Sequence, residues 1–230
     1  MIKRYTVYFF ISIFLFSCKG EMRPPSVFST SGTIVQSARN LIPIEYKKEI
    51  ELPLNGLQVQ KTVENFTFSA QYRPYEYIIG TELKKEVITK DELEKGIREI
   101  NQLQYFTFKI NADDAGMELL KVNLKSPGEY NYRVEYCSFQ MQNDFQLVDG
   151  TDTLNCALYH FERIYGIAPY GTFMLGFPLS KKEEASRKNK QSYLMQDKTL
   201  IYDDKVFEMG RIYLKIEAKN LNRLPKLVTG

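Results

Sequence analysis

From about residue 41, apolar and polar residues alternate with period two in several short runs. Phe66, Phe68, Ala70 and Tyr72 share one face, with Thr67, Ser69 and Gln71 on the other. Leu57, Val59 and Lys61 alternate with Gln58, Gln60 and Thr62. Phe106, Phe108 and Ile110 alternate with Thr107 and Lys109, and Tyr130, Tyr132, Val134 and Tyr136 with Asn131, Arg133 and Glu135. Ile212, Leu214 and Ile216 alternate with Tyr213, Lys215 and Glu217. Successive side chains of a strand point to opposite faces, so these runs predict half-buried antiparallel strands, apolar side inward.

Helical signals are fewer. Thr89-Lys90-Asp91-Glu92 matches a capping box with Thr89 as N-cap, and Leu93, Ile97 and Ile100 follow at helical spacing. Gly96 inside that segment costs about 1 kcal/mol against alanine. A shorter helix is expected from Pro74, with Tyr77 and Ile78 facing inward and Gly80 closing it. There is no strand–helix–strand rhythm and no internal repeat. The expected fold is mainly β: one antiparallel β-sandwich over 41–230 with one or two short helical insertions.

The N-terminus reads differently. Lys3 and Arg4 precede an almost wholly apolar run from Val7 to Phe16, which ends at Ser17-Cys18 and polar Lys19-Gly20-Glu21. A run shorter than the roughly 20 residues of a membrane span suits a signal peptide. Leu15-Phe16-Ser17-Cys18 resembles the lipobox of bacterial lipoproteins. The resemblance implies cleavage before Cys18, a diacylated Cys18 thiol and an acylated Cys18 amine. Lys19 is not the aspartate of the inner-membrane retention signal, so the resemblance implies an outer-membrane destination. Residues 18–40, with Arg23-Pro24-Pro25-Ser26 and Ser29-Thr30-Ser31-Gly32-Thr33, read as a flexible tether. A strand from Thr33 to Val35 is the alternative.

Composition narrows the chemistry. Hydrophobic residues make up 43% of the 230-residue chain, and 16 Tyr and 15 Phe supply ample surface to bury, so a folded body is expected. Without Lys3 and Arg4 the chain carries 29 basic and 28 acidic residues, which leaves no general nucleic-acid footprint. The anchor is then lipid rather than charge. The clearest loop is Ser180 to Gln191, where Lys181, Lys182, Arg187, Lys188 and Lys190 face only Glu183 and Glu184. It reads either as a solvated connection or short exposed helix, or as a contact site for an acidic partner.

Cys137 and Cys156 are the cysteines of the body. Asp149-Gly150-Thr151-Asp152 reads as a hairpin turn. Centred between Gly150 and Thr151, it sets Cys156 against Phe145, eight positions from Cys137. At about 3.3 Å per residue that is beyond bridging distance, so free thiols are expected. Cys156 and His160 would share a helical face, but Leu154 to Phe161 reads as strand, so no metal site and a partly buried His160 are expected. Asp203-Asp204 reads as a turn, and Asp113-Asp114 completes no calcium loop. No phosphate-binding glycine loop, dinucleotide fingerprint or G-x-S-x-G elbow is present. No cofactor is expected.

Tyrosine is abundant. Tyr72, Tyr75, Tyr77, Tyr130, Tyr132, Tyr136, Tyr159, Tyr165 and Tyr170 could include an exposed platform for sugar or protein, but such tyrosines are more often core bodies with wet hydroxyls. Asp152-Thr153-Leu154 resembles a bacterial O-glycosylation acceptor, which implies modification at Thr153. Together these features point to a lipid-anchored, non-catalytic module that contacts another envelope protein, as in a secretion or surface-assembly complex. A carbohydrate-binding lipoprotein is the alternative, and an envelope hydrolase the third class.

Overall fold

The computed structural model of the protein describes residues 39–113, 116–163, 168–189 and 191–230. The expected signal peptide, Cys18 with its lipobox-like residues, and the expected tether up to residue 38 lie outside the described residues, as do Asp114, Tyr165 and Lys190.

The strands form three sheets. The largest joins β2 (Gln58–Val63), β3 (Phe66–Arg73), β4 (Leu103–Ala112), β8 (Tyr170–Pro178) and β7 (Leu158–Glu162), in that order and all antiparallel. A four-stranded antiparallel sheet joins β10 (Gly210–Ile216), β9 (Lys198–Asp204), β5 (Phe145–Asp149) and β6 (Asp152–Asn155). The third is a single parallel pair, β1 (Asn40–Leu41) with β11 (Lys226–Leu227), tying the start of the body to its end.

The alternation expected for β2, β3, β4 and β10 is present, and on the last three it decides which face is buried. Phe66, Phe68, Ala70 and Tyr72 are buried, as are Phe106, Phe108 and Ile110, while Tyr213 and Lys215 are exposed between buried Ile212, Leu214 and Ile216. The inner faces of the two larger sheets share an aromatic core. The Phe108 ring lies 5.0 Å from Phe145, 5.1 Å from Tyr202 and 6.0 Å from Phe173. Each such ring contributes about 1.5–3 kcal/mol by leaving water.

The expectation of one sandwich with one or two short helices is corrected. Six α-helices are present among the described residues: α1 (Pro43–Glu51), α2 (Tyr75–Leu83), α3 (Lys90–Ile100), α4 (Pro127–Phe139), α5 (Lys181–Lys188) and α6 (Ala218–Leu221). Of these, α3 follows expectation, with Thr89 and Glu92 forming the full reciprocal capping box. Helix α2 starts after Pro74 but runs past Gly80 and closes at Lys84 in the left-handed region, with Ile79 rather than Tyr77 or Ile78 buried.

One segment differs outright. Residues 130–136 belong to α4, not to a strand. Pro127 opens the helix, the Glu129 carboxylate accepts from Lys125 N–H at 2.5 Å, and Arg133, Tyr136 and Cys137 are buried at helical spacing. Residues 181–188 form α5, the short helix of the two forms expected for that connection, with acidic side chains in the first turn and basic ones in the last.

The 149–152 hairpin has the expected register, with Asp149 opposite Asp152 and Gln146 opposite Asn155. Cys137 sits on α4, so the strand-distance argument against a disulfide does not apply to it. Both thiols are nevertheless free and buried, and burial pushes Cys137 up to about 12 and Cys156 up to about 11. Asp203 and Asp204 end β9. Asp204 organises the following turn by accepting from the N–H groups of Val206, Phe207 and Met209. Among the described residues no helix is long and apolar enough to cross a membrane.

Candidate functional site: a groove on the outer sheet face

The five-stranded sheet turns its apolar side to the core, so its outer side must carry whatever the other half of the alternation supplies. Strand register arranges that side in rows. Arg73, Tyr105, Gly176 and Leu158 form one row, and Gln71, Thr107, Met174 and His160 the next. Ser69, Lys109, Thr172 and Glu162 form a third. Helix α2 walls this face. Pro74 cannot donate to a ladder and ends β3, and the chain turns at once into α2. The Tyr75 hydroxyl then donates to the Leu103 carbonyl at 2.8 Å, fixing the helix to the start of β4.

Between α2 and the sheet lies a groove of about 520 Å³. Its wall holds Tyr77, Ile78 and Glu82, and its floor holds Met174, Tyr105, Lys109 and Glu162. Met174 is 46% exposed, although it lies mid-sheet. Arg73 reaches across the floor, where its Nε donates to Thr107 Oγ1 at 2.8 Å. Its guanidinium lies 4.5 Å from the Tyr77 ring centre, and the Tyr77 hydroxyl donates to Glu51 at 2.6 Å. Burial lowers the Arg73 pKa from its ordinary value, opposed by nearby Tyr77 and Glu51. Burial likewise raises the Tyr77 and Tyr105 hydroxyls. The Lys109 ammonium lies 5.8 Å from the Tyr170 ring centre. Cation–π contacts of this kind contribute about 0.5–1 kcal/mol when exposed and leave the cation able to take an anion.

The basic helix sits elsewhere. Lys181 and Lys182 are exposed, and the Lys181 N–H donates to Asp152 at 2.7 Å. Lys188 pairs with Glu184 at 2.8 Å. Arg187 is a structural residue. It donates to Glu183 at 2.5 Å, to the Tyr75 hydroxyl at 3.0 Å and to the Asn101 carbonyl that ends α3 at 2.8 Å. Glu183 is buried and lies 3.8 Å from buried Lys198, which pairs with Asp149 at 2.7 Å. The cleft of about 630 Å³ beside Arg187 and Lys188 is therefore lined by cations that already have carboxylates. Of the five basic residues, Lys181 and Lys182 are exposed, Arg187 and Lys188 are paired with carboxylates, and Lys190 lies outside the described residues.

The other candidates separate too. Thr153 is exposed on β6. His160 is exposed on β7 rather than partly buried, and Cys156 donates its thiol to the Leu158 carbonyl at 3.0 Å, away from any metal cluster. Among the described residues no group of three or more metal-ligating side chains forms. Of the described tyrosines among the platform candidates, Tyr72 and Tyr136 are core, and Tyr132 and Tyr170 are exposed. Sequence reasoning singled out Tyr77 and Tyr170 but missed Arg73, Lys109 and Met174. Met174 carried a signal: an apolar residue between Phe173 and Leu175, on a strand whose alternation points it outward.

No protein family, curated protein or solved structure matches this chain.

Proposed function

We propose that this protein is a lipid-anchored outer-membrane protein acting as a non-catalytic protein-interaction module, with the groove between α2 and the five-stranded sheet as its recognition face. The anchor rests on Leu15-Phe16-Ser17-Cys18. The recognition face rests on one observation: an exposed Met174 beside two cations, Arg73 and Lys109, on the solvent side of a sheet. Such a mixture of apolar contact and fixed charge is what a protein surface recognises.

A carbohydrate ligand is the second reading. Tyr77, Tyr105 and Tyr170 line the groove, and Glu82 and Glu162 offer acceptors to hydroxyls. Against it, Arg73 covers Tyr77 and Lys109 covers Tyr170, so these rings do not offer two free faces for sugar stacking.

The test uses the full chain in intact cells. A photo-crosslinking residue in place of Met174 should yield a discrete protein adduct. The same residue in place of Tyr213, exposed on β10 of the other sheet, should not. Mass spectrometry should find residue 18 acylated at the mature N-terminus. Adducts to glycan alone would favour the second reading, and an unmodified Cys18 would remove the anchor.

A further inference from the structure

We infer that the groove takes an extended peptide segment carrying one acidic side chain between apolar ones, its carboxylate seated between Arg73 and Lys109. This rests on the groove being the recognition face.

The row geometry sets the distances. Arg73 bonds to Thr107 and so brings its guanidinium to the row of Thr107 and Met174. Lys109 stands in the adjacent row, two residues along β4, which places the rows about 7 Å apart. A carboxylate between the two rows is within reach of both cations. Neither cation has a carboxylate within ion-pair distance among the described residues; each is held against a tyrosine ring instead. The guanidinium is therefore oriented before any ligand arrives, which reduces the ordering cost of binding. Met174 shares the row of the guanidinium and Ile78 stands on the wall, so an apolar side chain beside the acidic one has a seat.

Two acidic residues define what is refused. Glu162 lies in the row of Lys109, two strands away and about 10 Å across the sheet. Glu82 stands on α2. Together they cancel the two cations at the edges of the groove, so a run of negative charge meets repulsion where a single carboxylate does not. Polyphosphates, nucleic acid and acidic homopolymers are disfavoured on this ground. The groove crosses β3, β4, β8 and β7, about 14 Å at ordinary strand spacing, and an extended peptide covers that span with about four or five residues.

Matched arrays of short extended peptides test this. One array carries a central glutamate among Leu, Val and Ile, and its twin a central glutamine. Polyglutamate and an oligosaccharide panel complete the set, all probed with the full chain in detergent. Retention on the glutamate array should exceed the glutamine array by at least about fivefold at low salt, and high salt should collapse the difference. Lys109→Gln should erase that difference. Met174→Ala should lower retention on both arrays, and Tyr213→Ala should change neither. Lys109, Met174 and Tyr213 are all exposed, so these variants are expected to fold. Equal retention on the two arrays, or stronger retention on polyglutamate, overturns the single-carboxylate ligand. If Met174→Ala still weakens binding in that case, the groove stands as recognition face. Retention on oligosaccharide alone overturns the peptide. Binding indifferent to both Lys109 and Met174 overturns the groove itself.

Discussion

Arg187 shows how much one side chain of a charged segment can carry. Its side chain is 35% exposed, yet it neutralises Glu183, holds the Tyr75 hydroxyl and caps the C-terminal carbonyl of α3. Without it, buried Glu183 retains among the described cations Lys198, which Asp149 already engages more closely. Arg187→Ser is therefore expected to lower stability by about 1–2 kcal/mol, less than a fully buried pair because solvent reaches it. Lys181→Ser, Lys182→Ser and Lys188→Ser together should stay within about 0.5 kcal/mol, as surface substitutions do. Urea titration of the two variants checks the contrast. Nothing local in Lys-Lys-Glu-Glu-Ala-Ser-Arg-Lys tells Arg187 from its neighbours: Lys188 makes the same i,i+4 pair, and the two partners that set Arg187 apart lie 86 and 112 residues away. The cysteines give a second residue-scale expectation. With both thiols raised well above neutrality by burial, Cys137 and Cys156 should react with alkylating reagents only after unfolding.

At the scale of elements, α3 was legible because its cap and its period agreed. Its Glu92 carboxyl is held down at about 2, first by the hydrogen bond from Lys85 and then by the backbone and hydroxyl of Thr89. An ionised, depressed carboxylate stabilises the fold above its unfolded value near 4.5 and loses that contribution as pH falls toward 2. Glu92→Gln should thus flatten the acid limb of the melting curve between those values. The glycine in the same helix has a purpose the sequence hid. A Cβ at Gly96 would meet Ile79 Cγ1 of α2 at 2.9 Å. Gly96→Ala should therefore forfeit its gain of about 1 kcal/mol in helix propensity to a packing clash of about 1–3 kcal/mol. The gain should reappear in an Ile79→Ala background, measured as a double-mutant cycle. Helix α4 was misread for a physical reason. Tyr130, Tyr132, Val134 and Tyr136 alternate, but Tyr130, Arg133, Val134 and Cys137 also repeat at helical spacing, and it is Tyr132 of the alternating set that is left exposed. Ser126-Pro127 before it was the signal that favours a helix start.

At the scale of the molecule, the strand runs conveyed which faces are buried, but not how strands pair. The groove depends on pairing: Arg73, Thr107 and Met174 come together only through the β3–β4 and β4–β8 registers, across about a hundred residues of chain. The same is true of β1 and β11, whose two residues each carry no strand signal of their own. Lys226 N–H donates to the Arg39 carbonyl, Val228 N–H to Leu41 and Gly230 N–H to Ile88. Removing residues 226–230 deletes these three bonds and is expected to cost about 1–3 kcal/mol by urea titration. The clasp also has a mechanical meaning. With the proposed lipid anchor at Cys18 and the proposed partner seated against β4 and β8, a pull applied at Arg39, the first of the described residues, meets the clasp first. It loads the β1–β11 pair before it reaches α1 or either larger sheet. The two shortest strands then act as the yielding link in series with the anchor, and under tension the body would lengthen there while the aromatic core and the groove keep their shape.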